Sequence, residues 1–208
     1  MPSVKFRLLL VTDRHRTHGR SLPSVLHQAV EAGLPAVQLR ERDLPTGELL
    51  RLAQEIRAMT SPRAVPLIIN DRVDLMLALN LDGVHLRANS LPVADVRRVV
   101  GVDRLIGLST HSLAEVRQAN RDGADYVVFG PIFDTPSKRQ FGSPVGLEQL
   151  AEACRLSAIP VFAIGGVTGA SAPDVLRAGS HGIAVIGSIL DQEDAAAATR
   201  AMMAALMP

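Results

Sequence analysis

Ala163-Ile164-Gly165-Gly166-Val167 and, sixteen residues further on, Ile183-Ala184-Val185-Ile186-Gly187-Ser188 decide how this chain is read. Each is a short apolar, β-branched run that ends in glycine and leads into a segment of helical character. A glycine lets a ligand approach the backbone N–H that a Cβ would hold off. Two such turns, closing the last two strands of a (β/α)8 barrel, form the usual phosphate cradle of that architecture. The pair implies both a fold and a phosphorylated ligand.

Working outward, apolar runs recur at Leu8–Thr12, Ala36–Leu39, Pro66–Asn70, Gly83–Leu86, Leu105–Ser109, Tyr126–Gly130, Val161–Gly165 and Ile183–Gly187. Most are continuous rather than alternating, as strands buried on both faces of a parallel sheet must be. Between them lie segments of helical period, such as Ser24–Ala32 and Thr46–Met59, and the faces Leu113/Val116/Ala119 and Leu147/Leu150/Ala151/Cys154. Ser112 and Ser171 stand at helix starts, and Gly33, Gly101, Gly123 and Gly179 fall where helices should stop. Eight strand–helix units without a long polar linker predict one α/β domain over residues 1–208, a single (β/α)8 TIM barrel. A doubly wound sheet is the competing architecture, but Thr12-Asp13-Arg14-His15 is nothing like the glycine-rich turn expected after its first strand.

Composition narrows the partners. Aromatic residues make up 3% against 47% hydrophobic, so the core should be filled by Val, Ile, Leu and Ala, and base-stacking platforms for nucleic acid are not expected. A formal net charge of +1 gives no overall attraction to nucleic acid or to an anionic membrane. No run approaches a membrane span or a signal-peptide core, so a cytoplasmic location is expected. The sole cysteine, Cys154, lies in an apolar helical segment and reads as a small buried hydrophobe rather than a nucleophile. The Ala- and Met-rich segment Ala195–Leu206 could seal the barrel or form a homodimer contact; sealing is the simpler expectation.

In a barrel, chemistry sits at the C-terminal strand ends. Gln38, Arg40 and Arg42 share one face of an extended segment, where guanidinium forks could grip phosphate oxygens. A rim ion pair of Arg40 with Glu41 or Asp71 would explain the same residues. Asn70-Asp71 could serve Mg²⁺ and phosphate, or cap the helix starting near Arg72, and taken alone the cap is the stronger reading. The long loop after strand six carries Thr135, Ser137, Lys138 and Arg139, which reads as a substrate loop or a solvated basic loop. His15 and His18 should be exposed, whereas His85 and His111 end strands and read as hydrogen-bonded structural histidines. No nucleophile elbow or zinc spacing stands out, which argues against covalent catalysis.

Together these residues resemble the thiamine phosphate synthase family and its thiazole tautomerase relatives. The resemblance rests on Gln38-Leu39-Arg40-Glu41-Arg42, Asn70-Asp71, Gly83-Val84-His85-Leu86, Gly130-Pro131-Ile132-Phe133, Thr135-Pro136-Ser137-Lys138 and Ile164-Gly165-Gly166, and it covers nearly the whole chain. It implies a transferase that joins an aminopyrimidine methyl diphosphate to a thiazole phosphate, with Mg²⁺ as cofactor. It assigns Gln38 to the pyrimidine and Arg40, Arg42, Asn70 and Lys138 to the diphosphate. Asp71 would bind Mg²⁺, and Ser109 would sit beside the reacting carbon. Thr135 and Ser137 would contact the thiazole, and Gly166, Gly187 and Ser188 its phosphate. Arg40, Ser109 and Lys138 would carry catalysis.

The chain departs from the synthase pattern in two places. Arg42 stands where the family usually has Lys. Arg87-Ala88-Asn89-Ser90 replaces Gly-Gln-x-Asp, putting Ser90 at the second metal-ligand position. The Ser90-Leu91-Pro92 and Thr110-His111-Ser112 steps look more like the tautomerase branch, yet that branch's catalytic histidine falls at Pro131, leaving His85 and His111 as substitutes. The synthase is the expected activity, because a departing diphosphate requires the cationic mouth. A tautomerase and a non-catalytic sensor of a thiamine precursor are the alternatives. A phosphosugar isomerase would share the glycine turns but has no use for the Gln38–Arg42 cluster.

Overall fold

The computed structural model describes residues 3–135 and 143–207. Eight parallel strands close into a barrel in chain order. They are β1 (Leu8–Val11), β2 (Val37–Leu39), β3 (Leu67–Asn70), β4 (Gly83–Leu86), β5 (Leu105–Thr110), β6 (Tyr126–Phe129), β7 (Val161–Ile164) and β8 (Gly182–Val185). The barrel closes where β1 pairs with β8, Leu8 opposite Ile183 and Leu10 opposite Val185. Around it run α1 (Leu22–Glu31), α2 (Thr46–Thr60), α3 (Val73–Ala78), α4 (Val93–Val100), α5 (Leu113–Asp122), α6 (Gly146–Leu156), α7 (Ala172–Arg177), the short α8 (Gly187–Leu190) and α9 (Ala195–Ala204).

The continuous apolar strands serve two packed layers at once. Leu8, Leu10, Val37, Leu39, Leu67 and Ile69 join the core between sheet and helices. Their neighbours Leu9, Val11, Ala36 and Ile68 belong to the separate core inside the barrel. This is the two-residue period of a strand, hidden in sequence because both faces are dry. The outer layer is mostly aliphatic, with Phe129 buried in it, and the interior core contains Phe6, Tyr126 and Phe162. Their ring centroids lie 5.3 to 6.0 Å apart. The few aromatics are therefore concentrated where three rings can plug the barrel more completely than branched side chains would.

Local signals account for the helix ends. Ser112 caps α5 in a reciprocal capping box with Glu115, and Gly123 ends that helix in the left-handed region. Helix α1 starts two residues earlier than its apolar pattern, at Leu22, because the Ser21 side chain accepts a hydrogen bond from the Ser24 N–H. Ser171 precedes α7 but makes no side-chain cap. Helix α9 packs against α1 and buries Ala195, Thr199 and Met202, covering the seam between the first and last strands. Cys154 is half-buried against the outer core, and burial pushes its thiol up to about 11, which keeps it protonated and unreactive.

Candidate active site

The inward period that places Leu9 and Ile68 in the barrel core continues upward to polar residues. Gln38 on β2 and Asn70 on β3 are both buried. The Gln38 Nε2 donates to Asn70 Oδ1 at 3.3 Å, and Asn70 Nδ2 donates to Asp71 Oδ2 at 3.1 Å. This chain of amides fixes both side chains and leaves the Gln38 carbonyl oxygen available to a ligand.

Arg40 follows Gln38 by two residues and stands at the mouth. The two carboxylates that the sequence offered as its partners are both committed elsewhere. Glu41 is buried and accepts hydrogen bonds from Thr12 Oγ1 at 2.6 Å, from the Arg14 N–H at 3.1 Å and from an Arg14 terminal nitrogen at 3.3 Å. Asp71 is held by Arg87 and Ser90. The Arg40 backbone is pinned, its N–H donating to Thr12 Oγ1 at 2.8 Å, while its guanidinium has no hydrogen bond or ion pair among the described residues. The rim ion pair is therefore not formed. Burial and the nearby Arg42 charge both push the Arg40 pKa downward, so an anion at this point would relieve an electrostatic cost. A cavity of about 620 Å³ opens here, lined by Arg40, Arg42, Asn70, Asp71, Arg87 and Asp13 among others.

Asp71 does not cap the next helix. Arg72 occupies the cap position of α3 and no side chain bonds there. Asp71 instead sits at φ 60°, a left-handed conformation that turns its carboxylate toward the loop after β4. Arg87 donates to one carboxylate oxygen through its side chain, and Ser90 Oγ donates to the other. The Arg87 N–H is shared between Asp71 Oδ1 at 3.2 Å and Ser90 Oγ at 3.0 Å. Asp71 and Ser90, the two positions proposed from sequence for Mg²⁺, are thus adjacent. As a donor set they do not fit the ion: Ser90 adds no carboxylate, both oxygens of Asp71 are engaged, and a guanidinium is already paired with them. No group of three or more His, Cys, Asp or Glu side chains converges among the described residues. Mg²⁺ is typically held by one or two carboxylates together with substrate phosphates, and here the one carboxylate is already paired with a guanidinium.

Ser109 faces the barrel interior from β5, and its Oγ lies 2.9 Å from His85 Nε2. The other ring nitrogen of His85 lies 3.2 Å from the Tyr126 hydroxyl. His85 is fully buried, and burial pushes its pKa down to about 4 from 6.5, leaving it neutral near pH 7. Both nitrogens are occupied, so near pH 7 a neutral His85 orients Ser109. Because the folded pKa is depressed, the unfolded chain takes up the proton first. Stability should be full above pH 6.5 and fall as the pH drops toward 4, by about 3 kcal/mol from this group. Urea melts of wild type and His85→Gln at pH 7.5 and 4.5 check this; an equal pH dependence in both would contradict it. His111 is exposed and its Nδ1 bonds the Gly130 carbonyl at 2.6 Å.

The glycine turns lie across the mouth. Gly166 has φ 65°, and a Cβ there would meet the Asp134 carbonyl and Phe133 Cβ at 2.8 Å. Gly187 begins α8 directly after β8, and Ser188 Oγ donates to the Val167 carbonyl at 2.7 Å, tying the two turns together. The N–H groups of Gly166, Gly187 and Ser188 are taken by no acceptor among the described residues, so both turns offer donors to an anion. Thr135 is half-buried at the start of the loop after β6. Ser137 and Lys138 lie outside the described residues.

Two participants were missed from sequence. Arg87 ends the polar run after β4 and continues the two-residue period of His85, yet the sequence gives it no role of its own. Tyr126 was read only as the start of a strand, although it is the sole tyrosine, and the mid-strand glycine opposite it, Gly107, is the mark of a close approach.

Comparison with known proteins agrees with this geometry. The family model described as thiamine monophosphate synthase matches residues 8–189. A thiamine-phosphate synthase of Chloroflexus aurantiacus is 44% identical, covering 97% of this chain and 93% of its own length. One of Roseiflexus castenholzii is 43% identical, covering 97% and 88%. The structure of thiamine phosphate pyrophosphorylase from Pyrococcus furiosus superposes with a TM-score of 0.87 at 32% identity, over 96% of this chain and 94% of that one. A 3-hexulose-6-phosphate synthase, at 16% identity and a TM-score of 0.71, shares the fold alone. With a matched family model that spans the barrel from β1 into α8 and relatives aligned over nearly its full length, this chain belongs to the thiamine monophosphate synthase family.

Proposed function

We propose that this protein joins hydroxymethylpyrimidine diphosphate to thiazole phosphate, giving thiamine phosphate and pyrophosphate. The observation that carries the reading is Arg40: a half-buried guanidinium without a partner among the described residues, beside Arg42 in the cavity that Asn70 also lines. Such a site is built for a multiply charged anion, and a leaving diphosphate is one.

The chemistry needs no protein nucleophile. The bond from the pyrimidine methylene carbon to the diphosphate oxygen breaks, and its electron pair leaves with the diphosphate. The electron-rich pyrimidine stabilises the resulting cation, and the thiazole nitrogen lone pair forms the new C–N bond. In this scheme Gln38 orients the pyrimidine, while Arg40, Arg42, Asn70 and Lys138 hold the departing charge. Ser109, set by His85, lies beside the reacting carbon. Thr135 and Ser137 contact the thiazole, and its phosphate takes N–H donors from Gly166, Gly187 and Ser188. The packed interior beneath the mouth closes the floor of the cavity to water that would capture the cation.

A tautomerase is disfavoured by the same geometry. Pro131 has no proton to move, His85 has both nitrogens occupied, and moving a proton makes no use of the cationic mouth around Arg40 and Arg42. The test is incubation of the chain with both substrates, with product oxidised to fluorescent thiochrome. Thiamine phosphate that requires both substrates supports a synthase. Its absence, together with isomerisation of a carboxylated thiazole phosphate, would overturn the reading in favour of a tautomerase. Gly166→Ala should raise KM for thiazole phosphate about tenfold by tilting the first turn, with KM for the diphosphate unchanged.

A further inference from the structure

We infer that Arg87 is a built-in cation for the diphosphate, so that this chain grips pyrophosphate without a divalent metal bridging through Asp71. The inference rests on the reading above for what the anion is, and on four observations about the mouth.

Asp71 has no oxygen to spare. Oδ2 accepts from Asn70 Nδ2 and from the Arg87 side chain, and Oδ1 accepts from Ser90 Oγ and the Arg87 N–H. A metal would have to break several of these bonds and expel a guanidinium. Charge points the same way. An aspartate at position 90 would put two carboxylates together and require a dication to reach neutrality. Ser90 with Arg87 reaches the same neutral total with one carboxylate and one guanidinium, so the metal's electrostatic task is already met.

Arg87 also has capacity left over. It engages Asp71 through Nε, and its two terminal nitrogens carry no hydrogen bond among the described residues. Its side chain is 45% exposed and lines the same cavity as Arg40 and Arg42. The charges of Arg42 and Arg87 both push the Arg40 pKa down, which puts the three guanidiniums within one electrostatic neighbourhood. Three forks around one cavity match the oxygens of a diphosphate in a way that a single ammonium could not. Asp71 becomes a positioning residue: its left-handed backbone and doubly held carboxylate aim Arg87 at the mouth.

The test is calorimetric titration of the full chain with inorganic pyrophosphate, once in EDTA and once in excess Mg²⁺. The expected result is binding in EDTA within about threefold of that in Mg²⁺. Arg87→Ala should weaken binding in EDTA at least tenfold, with Arg87→Lys recovering part of the loss. Melting curves of each variant establish that it is folded. Mn²⁺ binding, followed by electron paramagnetic resonance, should be weak in the wild type and at least tenfold stronger in the double variant Arg87→Gly/Ser90→Asp. Tenfold or greater loss of wild-type binding in EDTA, or unchanged binding by Arg87→Ala, would overturn the inference. Thiamine phosphate formed only when Mg²⁺ is added would overturn it too, while leaving the proposed function standing. Metal-free pyrophosphate binding through Arg87 in a chain that makes no thiamine phosphate would support the inference and overturn the function.

Discussion

Arg40→Ala should lower kcat/KM for the pyrimidine diphosphate by about a hundred- to a thousandfold, with Tm unchanged or raised. The two effects have one origin. Arg40 is half-buried, has no partner for its guanidinium among the described residues, and has its pKa pushed down first by burial and then by Arg42. A buried charge that Asp13 and Glu41 only partly offset costs folding free energy, so its removal should not destabilise the barrel. The same charge is in place before the leaving group develops its own, which makes it effective in the transition state. Steady-state kinetics and thermal melts of the one variant check both halves. Lost activity with a large fall in Tm would show Arg40 to be structural. Retained activity would remove it from the diphosphate site.

Gly107→Ala should cost about 4 kcal/mol or more of folding stability, far beyond an ordinary glycine-to-alanine change. A Cβ at this position would lie 2.2 Å from Tyr126 Cζ and 2.5 Å from His85 Nδ1. Neither neighbour can retreat. Tyr126 is fully buried with its ring against Phe6 and Phe162, and His85 is pinned between Tyr126 and Ser109. Any relief must move the aromatic plug or break the bond that orients Ser109, so surviving activity should fall with stability. Urea denaturation measures the first effect; a loss below about 1 kcal/mol would contradict the account of the interior.

The fold was legible because its signal is repeated. Eight apolar runs separated by helical segments leave few architectures, and the terminal glycine turns choose among them. What the runs concealed is which of their residues face inward, since both faces are apolar. Only the structure shows that Leu9, Gln38, Ile68, Asn70, His85 and Ser109 share the interior while their neighbours pack under helices. The grouping of Gln38 with Arg40 and Arg42 was legible, because polar residues at period two in an apolar protein must meet something. The alternative pairing of Arg40 with Glu41 or Asp71 is the one the structure does not form. Glu41 is drawn back to Thr12 and Arg14 across the β1–β2 pair, and Asp71 across to Arg87 after β4. Such long-range competition leaves no trace in sequence spacing. The helix-cap reading of Asp71 failed for a related reason: its left-handed backbone points the carboxylate away from α3.

The most direct measurement of the central claim is product stoichiometry. Purified chain is supplied with hydroxymethylpyrimidine diphosphate and thiazole phosphate, and pyrophosphate and thiamine phosphate are quantified along one time course. A cation captured by a thiazole held at the mouth predicts equal amounts of both products at every time point. Pyrophosphate released without matching thiamine phosphate would contradict the account, because the mouth would then expel the diphosphate without holding an acceptor in place.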